Sequence, residues 1–156
     1  MAITIGDKAP EFTLPDQDGK KVSLKDFKGK WLVLYFYPKD DTPGCTIEGI
    51  EFTAQLPAFK KMGAVVVGVS GDPAERHCDF IKKHSLGVTL LTDADKGMMK
   101  RYGAFRQKLL YGKSFLGIVR STVLIDPKGV VAHHWPKVSA DGHAAAVLQR
   151  LKELKR

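Results

Sequence analysis

Cysteine is scarce in this chain: only Cys45 and Cys78 occur among 156 residues. Two thiols cannot build a disulfide framework, so the fold must rest on a packed core. Long apolar runs are missing too. The longest clean one covers residues 31–37, far short of the roughly 20 residues of a membrane-spanning helix, so no membrane partner is expected. The N-terminus, MAITIGDKAP, has no basic start followed by an apolar stretch, so no secretory leader is expected and a cytoplasmic location is the default. There is no Cys-x-x-Cys pair and no zinc-type spacing of Cys and His, which argues against dithiol exchange and against a metal site. Acidic residues are absent between positions 96 and 120, where seven basic ones stand: Lys96, Lys100, Arg101, Arg106, Lys108, Lys113 and Arg120.

What is present is an ordinary globular mixture. Hydrophobic residues make up 44% and charged residues 27%, too apolar for disorder. The length suits one domain, residues 1–156. The formal net charge of +8 comes almost entirely from segment 96–120. That segment also holds Met98, Met99, Tyr102, Phe105 and Phe115, so part of it must pack. A solvated basic face is expected and no nucleic-acid partner, because only the charge element of nucleic-acid recognition is met.

Periodicity gives the order of elements. Short apolar fragments up to about residue 27 are broken by Asp18-Gly19, a hairpin signal. Residues 31–37 read as a strand apolar on both faces, hence a central one. A polar loop, 39–44, leads into a long helix ending near Gly63, with Ile47, Ile50, Ala54 and Phe59 as its expected buried face and Pro57 placed to kink it. Residues 64–70 form a second buried strand. Asp72-Pro73 opens a second helix to about His84, 88–91 a short strand, and Asp93 or Asp95 caps a helix to about Tyr102. Strands at 121–126 and 130–135 close a hairpin around Asp126-Pro127-Lys128-Gly129, and Ala144, Val147, Leu148 and Leu151 mark a last amphipathic helix. Strand–helix alternation requires parallel strands and right-handed crossovers, and the closing hairpin adds antiparallel ones. The expected class is α/β: a thioredoxin-like fold, a mixed central β-sheet flanked by helices, with an N-terminal hairpin extension.

Ligands in such sheets sit beyond the carboxyl ends of the parallel strands, which points to Pro38-Lys39-Asp40-Asp41-Thr42-Pro43-Gly44-Cys45-Thr46. Cys45 lies where the loop becomes a helix. Unpaired amides and the helix dipole there favour negative charge, and so the nucleophilic thiolate. Thr42 can bring a hydroxyl close to the sulfur, Pro38 and Pro43 stiffen the loop, and Phe36 and Tyr37 are expected to supply an apolar wall.

Pro38-x-x-x-Thr42-x-x-Cys45 resembles the peroxidatic motif of peroxiredoxins, and Thr42-Pro43-Gly44-Cys45-Thr46 is similar to the version in the bacterioferritin comigratory protein (PrxQ) subfamily. The likeness extends through Gly6-Asp7-Lys8-Ala9-Pro10-Glu11-Phe12-Thr13-Leu14, Arg120-Ser121-Thr122, Trp135-Pro136-Lys137-Val138 and Gly142-His143. It implies thiol-dependent reduction of hydrogen peroxide and organic hydroperoxides without a cofactor. Cys45 would be the nucleophile, oxidised to a sulfenic acid, with the Thr42 hydroxyl, the Cys45 amide and Arg120 as donors to the peroxide. Glu48 would either orient Arg120 or simply favour the first helical turn.

The second thiol departs from the family pattern. Many members of the subfamily carry a resolving Cys five residues after the nucleophile, where this chain has Ile50. Others carry it on the next helix, where Cys78 stands, about one turn from the expected position near Ile81. The resemblance therefore implies that Cys78 resolves the sulfenic acid as an intramolecular disulfide, recycled by thioredoxin or a similar dithiol. Alternatively Cys78 is structural, since Ala74, Cys78 and Ile81 also trace an apolar stripe, and an external thiol resolves a one-Cys enzyme. The remaining rivals are a monothiol disulfide oxidoreductase and a holdase using segment 96–120. Both monomer and homodimer fit the sequence.

Overall fold

The computed structural model describes residues 3–155. Strands β1 (Thr13–Pro15) and β2 (Lys21–Ser23) pair antiparallel as the expected N-terminal hairpin. The turn is organised by Asp16, whose carboxylate accepts from the amides of Asp18 and Lys20. A short 3-10 turn at Leu24–Phe27 leads to β3 (Trp31–Phe36), α1 (Pro43–Lys61), β4 (Ala64–Ser70), α2 (Ala74–His84) and β5 (Thr89–Thr92). Then come α3 (Gly97–Arg101), β6 (Phe105–Leu110), β7 (Lys113–Ile118), β8 (Ser121–Ile125), β9 (Val131–Trp135) and α4 (His143–Leu154).

The central sheet has the order β5-β4-β3-β8-β9. The β3–β4 and β4–β5 pairs are parallel, while β3–β8 and β8–β9 are antiparallel. This is the mixed, helix-flanked, thioredoxin-like sheet expected from the sequence. Strand β3 lies in the middle, and its alternation sorts the core into two layers. Leu32, Leu34 and Phe36 pack with Val67, Val69, Met98, Met99 and Tyr102. Val33, Tyr35 and Tyr37 face Phe52 and Phe59 of α1, Phe80 of α2 and Val147, Leu148 and Leu151 of α4. Covering both faces explains why β3 carries no polar residue.

Two expectations need correction. The buried face of α1 is Cys45, Glu48, Gly49, Phe52 and Phe59, whereas Ile47 and Ile50 are 43% and 46% exposed and Ala54 also faces solvent. Apolar residues stand on both sides of this helix, so hydrophobicity alone cannot orient it, and Glu48 is buried for its ion pair. The helix is continuous through Pro57. Segment 103–120 is not merely a basic face. It forms the separate β6–β7 hairpin around Tyr111 and Gly112, both at positive φ (52° and 76°). Leu109, Tyr111, Phe115 and Leu116 are exposed on it. Among the described residues no helix is long and apolar enough to cross a membrane.

Candidate active site

Register brings the site together. Phe36, the last residue of β3, pairs with Ser121, the first of the antiparallel β8. Arg120 therefore arrives at the carboxyl end of β3, where loop 38–42 turns into α1. Pro38 follows the strand end, half-buried, and Thr42 is the N-cap residue, with extended backbone (φ −95°, ψ 156°). Cys45 falls in the first turn of α1 and is only 2% exposed. Amides of a first turn have no intrahelical acceptor and bias the spot toward an anion. The apolar floor is built from Tyr35, Tyr37, Phe52 and Phe80. The Tyr35 ring stacks on Phe52 and on Tyr37 at centroid distances of 4.7 and 5.6 Å.

Arg120 is the organising cation. Its Nη2 donates to Cys45 Sγ at 3.3 Å and its Nη1 to Glu48 Oε1 at 2.7 Å. The fork of a guanidinium can serve both at once. Burial works against the Arg120 charge, but Glu48 and Cys45 outweigh it and hold the guanidinium above its ordinary pKa. Glu48 behaves oppositely. It is fully buried and its Oε2 has no hydrogen-bond partner among the described residues. Desolvation therefore dominates over the attraction of Arg120 and pushes its carboxyl up to about 7. One ion pair stabilises the charge of both partners, and only the more deeply buried one is still driven toward neutrality.

Gly44 is part of this geometry. A Cβ there would stand 2.9 Å from Arg120 Nη2, so only glycine lets the guanidinium lie across the helix start toward the sulfur.

Thr42 is tied to its own loop. Its hydroxyl donates to the Lys39 carbonyl at 2.8 Å rather than to the sulfur. That oxygen, its hydrogen used there, is left with lone pairs that accept. Cys78 is not brought to this centre. It is exposed on α2, and its Sγ donates to the Gln17 carbonyl at 2.9 Å. It lies in a shallow depression with Asp18, Glu75 and Asp79. The buried face of α2 is His77 and Phe80, so a buried structural Cys78 is not what the fold contains. Both cysteines are free.

Several polar residues around the site make contacts that no sequence pattern pairs. Tyr37 was expected only as an apolar wall, yet its hydroxyl donates to Asp40 Oδ1 at 2.5 Å. His77 Nδ1 lies 2.6 Å from Asp40 Oδ2, both buried. The His143 Nε2 lies 2.7 Å from the Thr122 hydroxyl, and burial together with Arg120 pushes the imidazole down to about 4. The partners of the two histidines lie 37 and 21 positions away, and no local pattern announces them.

Residues 5–134 match the AhpC/TSA family. The chain is 48% identical to the putative peroxiredoxin bcp of Coxiella burnetii over 97% of its own length and 100% of that protein's. It is similar to the solved structure of the Xanthomonas campestris bacterioferritin comigratory protein, studied for alkyl peroxide reduction activity. That likeness has a TM-score of 0.88 and 43% identity over 93% of this chain and 92% of that one. A structure of Xylella fastidiosa PrxQ, as a cysteine-to-serine mutant, superposes with a TM-score of 0.93 at 36% identity, covering 100% and 99% of the two chains. With a buried thiol at a helix start, an arginine on its sulfur and relatives matched over nearly their whole length, the chain belongs to the AhpC/TSA family and is a thiol peroxidase of the peroxiredoxin type.

Proposed function

We propose that Cys45 is the peroxidatic nucleophile for hydrogen peroxide and organic hydroperoxides, with Arg120 and Thr42 as the residues that orient the peroxide. The observation that carries this is the contact of Arg120 Nη2 with the buried Cys45 sulfur at the head of α1. The Cys45 thiolate attacks the terminal peroxide oxygen, the S–O bond forms and the O–O bond breaks. The departing hydroxide or alkoxide takes up a proton and leaves as water or alcohol. Arg120 and the Cys45 amide face the charge that develops on the oxygens. Thr42, its own hydrogen committed to Lys39, accepts a hydrogen bond from the O–H of the incoming hydroperoxide and so presents the terminal oxygen to the sulfur. Pro38 fixes the start of the loop that carries these groups.

Cys78 completes the cycle in this reading. Its sulfur bonds to that of the Cys45 sulfenic acid, the S–O bond breaks, and the oxygen leaves as water. Its exposure supports the role, since the thiol is open to solvent and to a reductant. The two sulfurs are engaged with Arg120 and with Gln17, so α2 and the head of α1 must rearrange to bring the Cα atoms within roughly 7 Å. A cytoplasmic dithiol of thioredoxin type then reduces the bridge by exchange.

Peptide mapping without reductant, after one equivalent of hydrogen peroxide, tests the whole assignment. A Cys45–Cys78 crosslink within one chain is expected. Oxidised Cys45 beside a free Cys78 thiol would make the enzyme one-Cys with an external resolving thiol. An unmodified Cys45 would remove it as the nucleophile.

A further inference from the structure

Loop 38–42 is fastened to α2, the helix of Cys78, along two consecutive residues. Asp40 is 1% exposed, and its carboxylate lies between the Tyr37 hydroxyl at 2.5 Å and His77 Nδ1 at 2.6 Å. His77 Nε2 stands 3.0 Å from the Leu91 carbonyl. A carbonyl only accepts, so that nitrogen carries a hydrogen, and a further proton is shared between Nδ1 and Asp40 Oδ2. The Asp40 amide donates to Asp72 Oδ2 at 2.8 Å, and Arg76 Nη2 donates to the Asp40 carbonyl at 3.3 Å. Next to it Asp41, at φ 61°, accepts from Lys83 Nζ at 2.8 Å and lies 2.9 Å from His84 Nε2.

None of these side chains makes a hydrogen bond to the Cys45 sulfur, and they reach the peroxide step only through the loop that carries Thr42. Their importance lies in the second step. Cys78 adjoins His77 in sequence but faces outward, so α2 must turn or unwind for it to reach Cys45. When His77 leaves, Asp40 is stranded in the core without its strongest partner, which is costly. The lower route releases Asp40 and the whole loop together with the helix.

We propose that Asp40 and His77 are positioning residues for disulfide formation, a clasp that makes loop 38–42 and α2 open as one unit. The clasp thereby sets how the Cys45 sulfenic acid divides between disulfide and overoxidation. This rests on the reading of Cys78 as the resolving thiol. In the competing reaction a second hydroperoxide transfers an oxygen atom to the sulfenic sulfur, giving sulfinic acid while the peroxide is reduced to water or alcohol. A closed clasp prolongs the sulfenic acid and favours that loss.

The test compares the unaltered protein with the double variant Asp40→Ala, His77→Leu, which removes both members of the pair together and takes one partner each from the Tyr37 hydroxyl and the Leu91 carbonyl. Stopped-flow measurement gives the bimolecular oxidation of Cys45 and the unimolecular formation of the disulfide, and intact mass gives the sulfinic fraction across a peroxide titration. A buried hydrogen bond to a charged group is worth a factor of about ten or more in an opening equilibrium. Disulfide formation should therefore accelerate about tenfold, and the peroxide concentration for half overoxidation should rise by about the same factor. The first step should slow, because Thr42 loses its fixed loop. Opposite signs separate a clasp from damage to the catalytic loop alone, which slows the first step without speeding the second. An unchanged partition, or both steps slowed together, overturns the proposal. If the double variant does not fold, hydrogen exchange on the unaltered reduced protein decides. Amides of segments 38–42 and 74–84 should share one opening free energy, and unequal values overturn the clasp. If the unaltered protein forms no Cys45–Cys78 disulfide, the resolving role fails, and the exchange data alone decide whether the two segments open together.

Discussion

Arg120 Nη1 stands 2.7 Å from Glu48 Oε1, while Glu48 Oε2 is buried without a hydrogen-bond partner among the described residues. The folded chain therefore holds a proton on Glu48, up to about pH 7, that an unfolded chain releases near its ordinary 4.5. Where the folded state binds the extra proton, stability falls as pH rises. The loss starts near 4.5 and is complete above about 7. Glu48→Gln cannot ionise and lacks this dependence. The stability of the unaltered protein relative to Glu48→Gln should fall by about 2–3 kcal/mol between about pH 5 and about pH 8. Denaturant unfolding of both proteins across that range checks it, and a flat difference would show that Glu48 is ionised throughout.

Arg120→Lys should separate charge from shape. Lysine keeps the positive charge but has no planar fork, so it cannot serve Glu48 Oε1 and Cys45 Sγ together. The bimolecular rate of Cys45 with hydrogen peroxide should fall about a hundredfold, the usual loss of one aimed donor. Sulfenic acid trapping should still mark Cys45. A rate within a factor of about two of the unaltered protein would mean that charge alone suffices.

The expected element order was legible because each layer is encoded by its own period. Strand β3 alternates between two covered faces, and Asp18-Gly19 and Asp126-Pro127-Lys128-Gly129 mark the turns of their hairpins. The candidate site was legible as far as its chemistry is local, in the run from Pro38 to Cys45. Arg120 was assigned only through the family resemblance, since on its own it is one cation among seven in segment 96–120. The β6–β7 hairpin escaped notice because its turn uses Tyr111 at positive φ, a residue type that does not advertise such a turn. The Asp40–His77 pair and the hidden face of α1 depend on contacts across the fold. In both, polar side chains are buried because a partner arrives from elsewhere, which a hydrophobic pattern cannot register.

Thr42→Val tests the hydroxyl. Thr42 makes no side-chain hydrogen bond to the amides of α1, so the usual penalty for losing a helix cap does not apply. What disappears is the bond to the Lys39 carbonyl, worth about 1 kcal/mol, and the acceptor proposed for the hydroperoxide. Peroxide reduction should slow by about tenfold, the worth of one hydrogen bond that orients the substrate. Thr42→Ser, which keeps the hydroxyl, should recover most of the rate. Equal rates for Val and Ser would remove Thr42 from the reaction and leave it a loop residue.

Gly44→Ala asks whether Arg120 must lie where it does. Gly44 is in the first turn of α1 at ordinary helical backbone angles, so alanine fits there and even favours the helix. Its methyl group, however, would meet Arg120 Nη2 at 2.9 Å. The atom in the way is the end of a flexible side chain, so the guanidinium moves aside and the backbone does not. The melting temperature should stay within a few degrees of the unaltered protein, while the rate with hydrogen peroxide drops at least tenfold, because one aimed donor has left the sulfur. Arg120→Ala should then cost little more in the Gly44→Ala background, since both changes remove the same contact. A Gly44→Ala protein with full activity would show that Arg120 can stabilise the reaction from another position, and that its 3.3 Å contact with Cys45 is not what the chemistry uses.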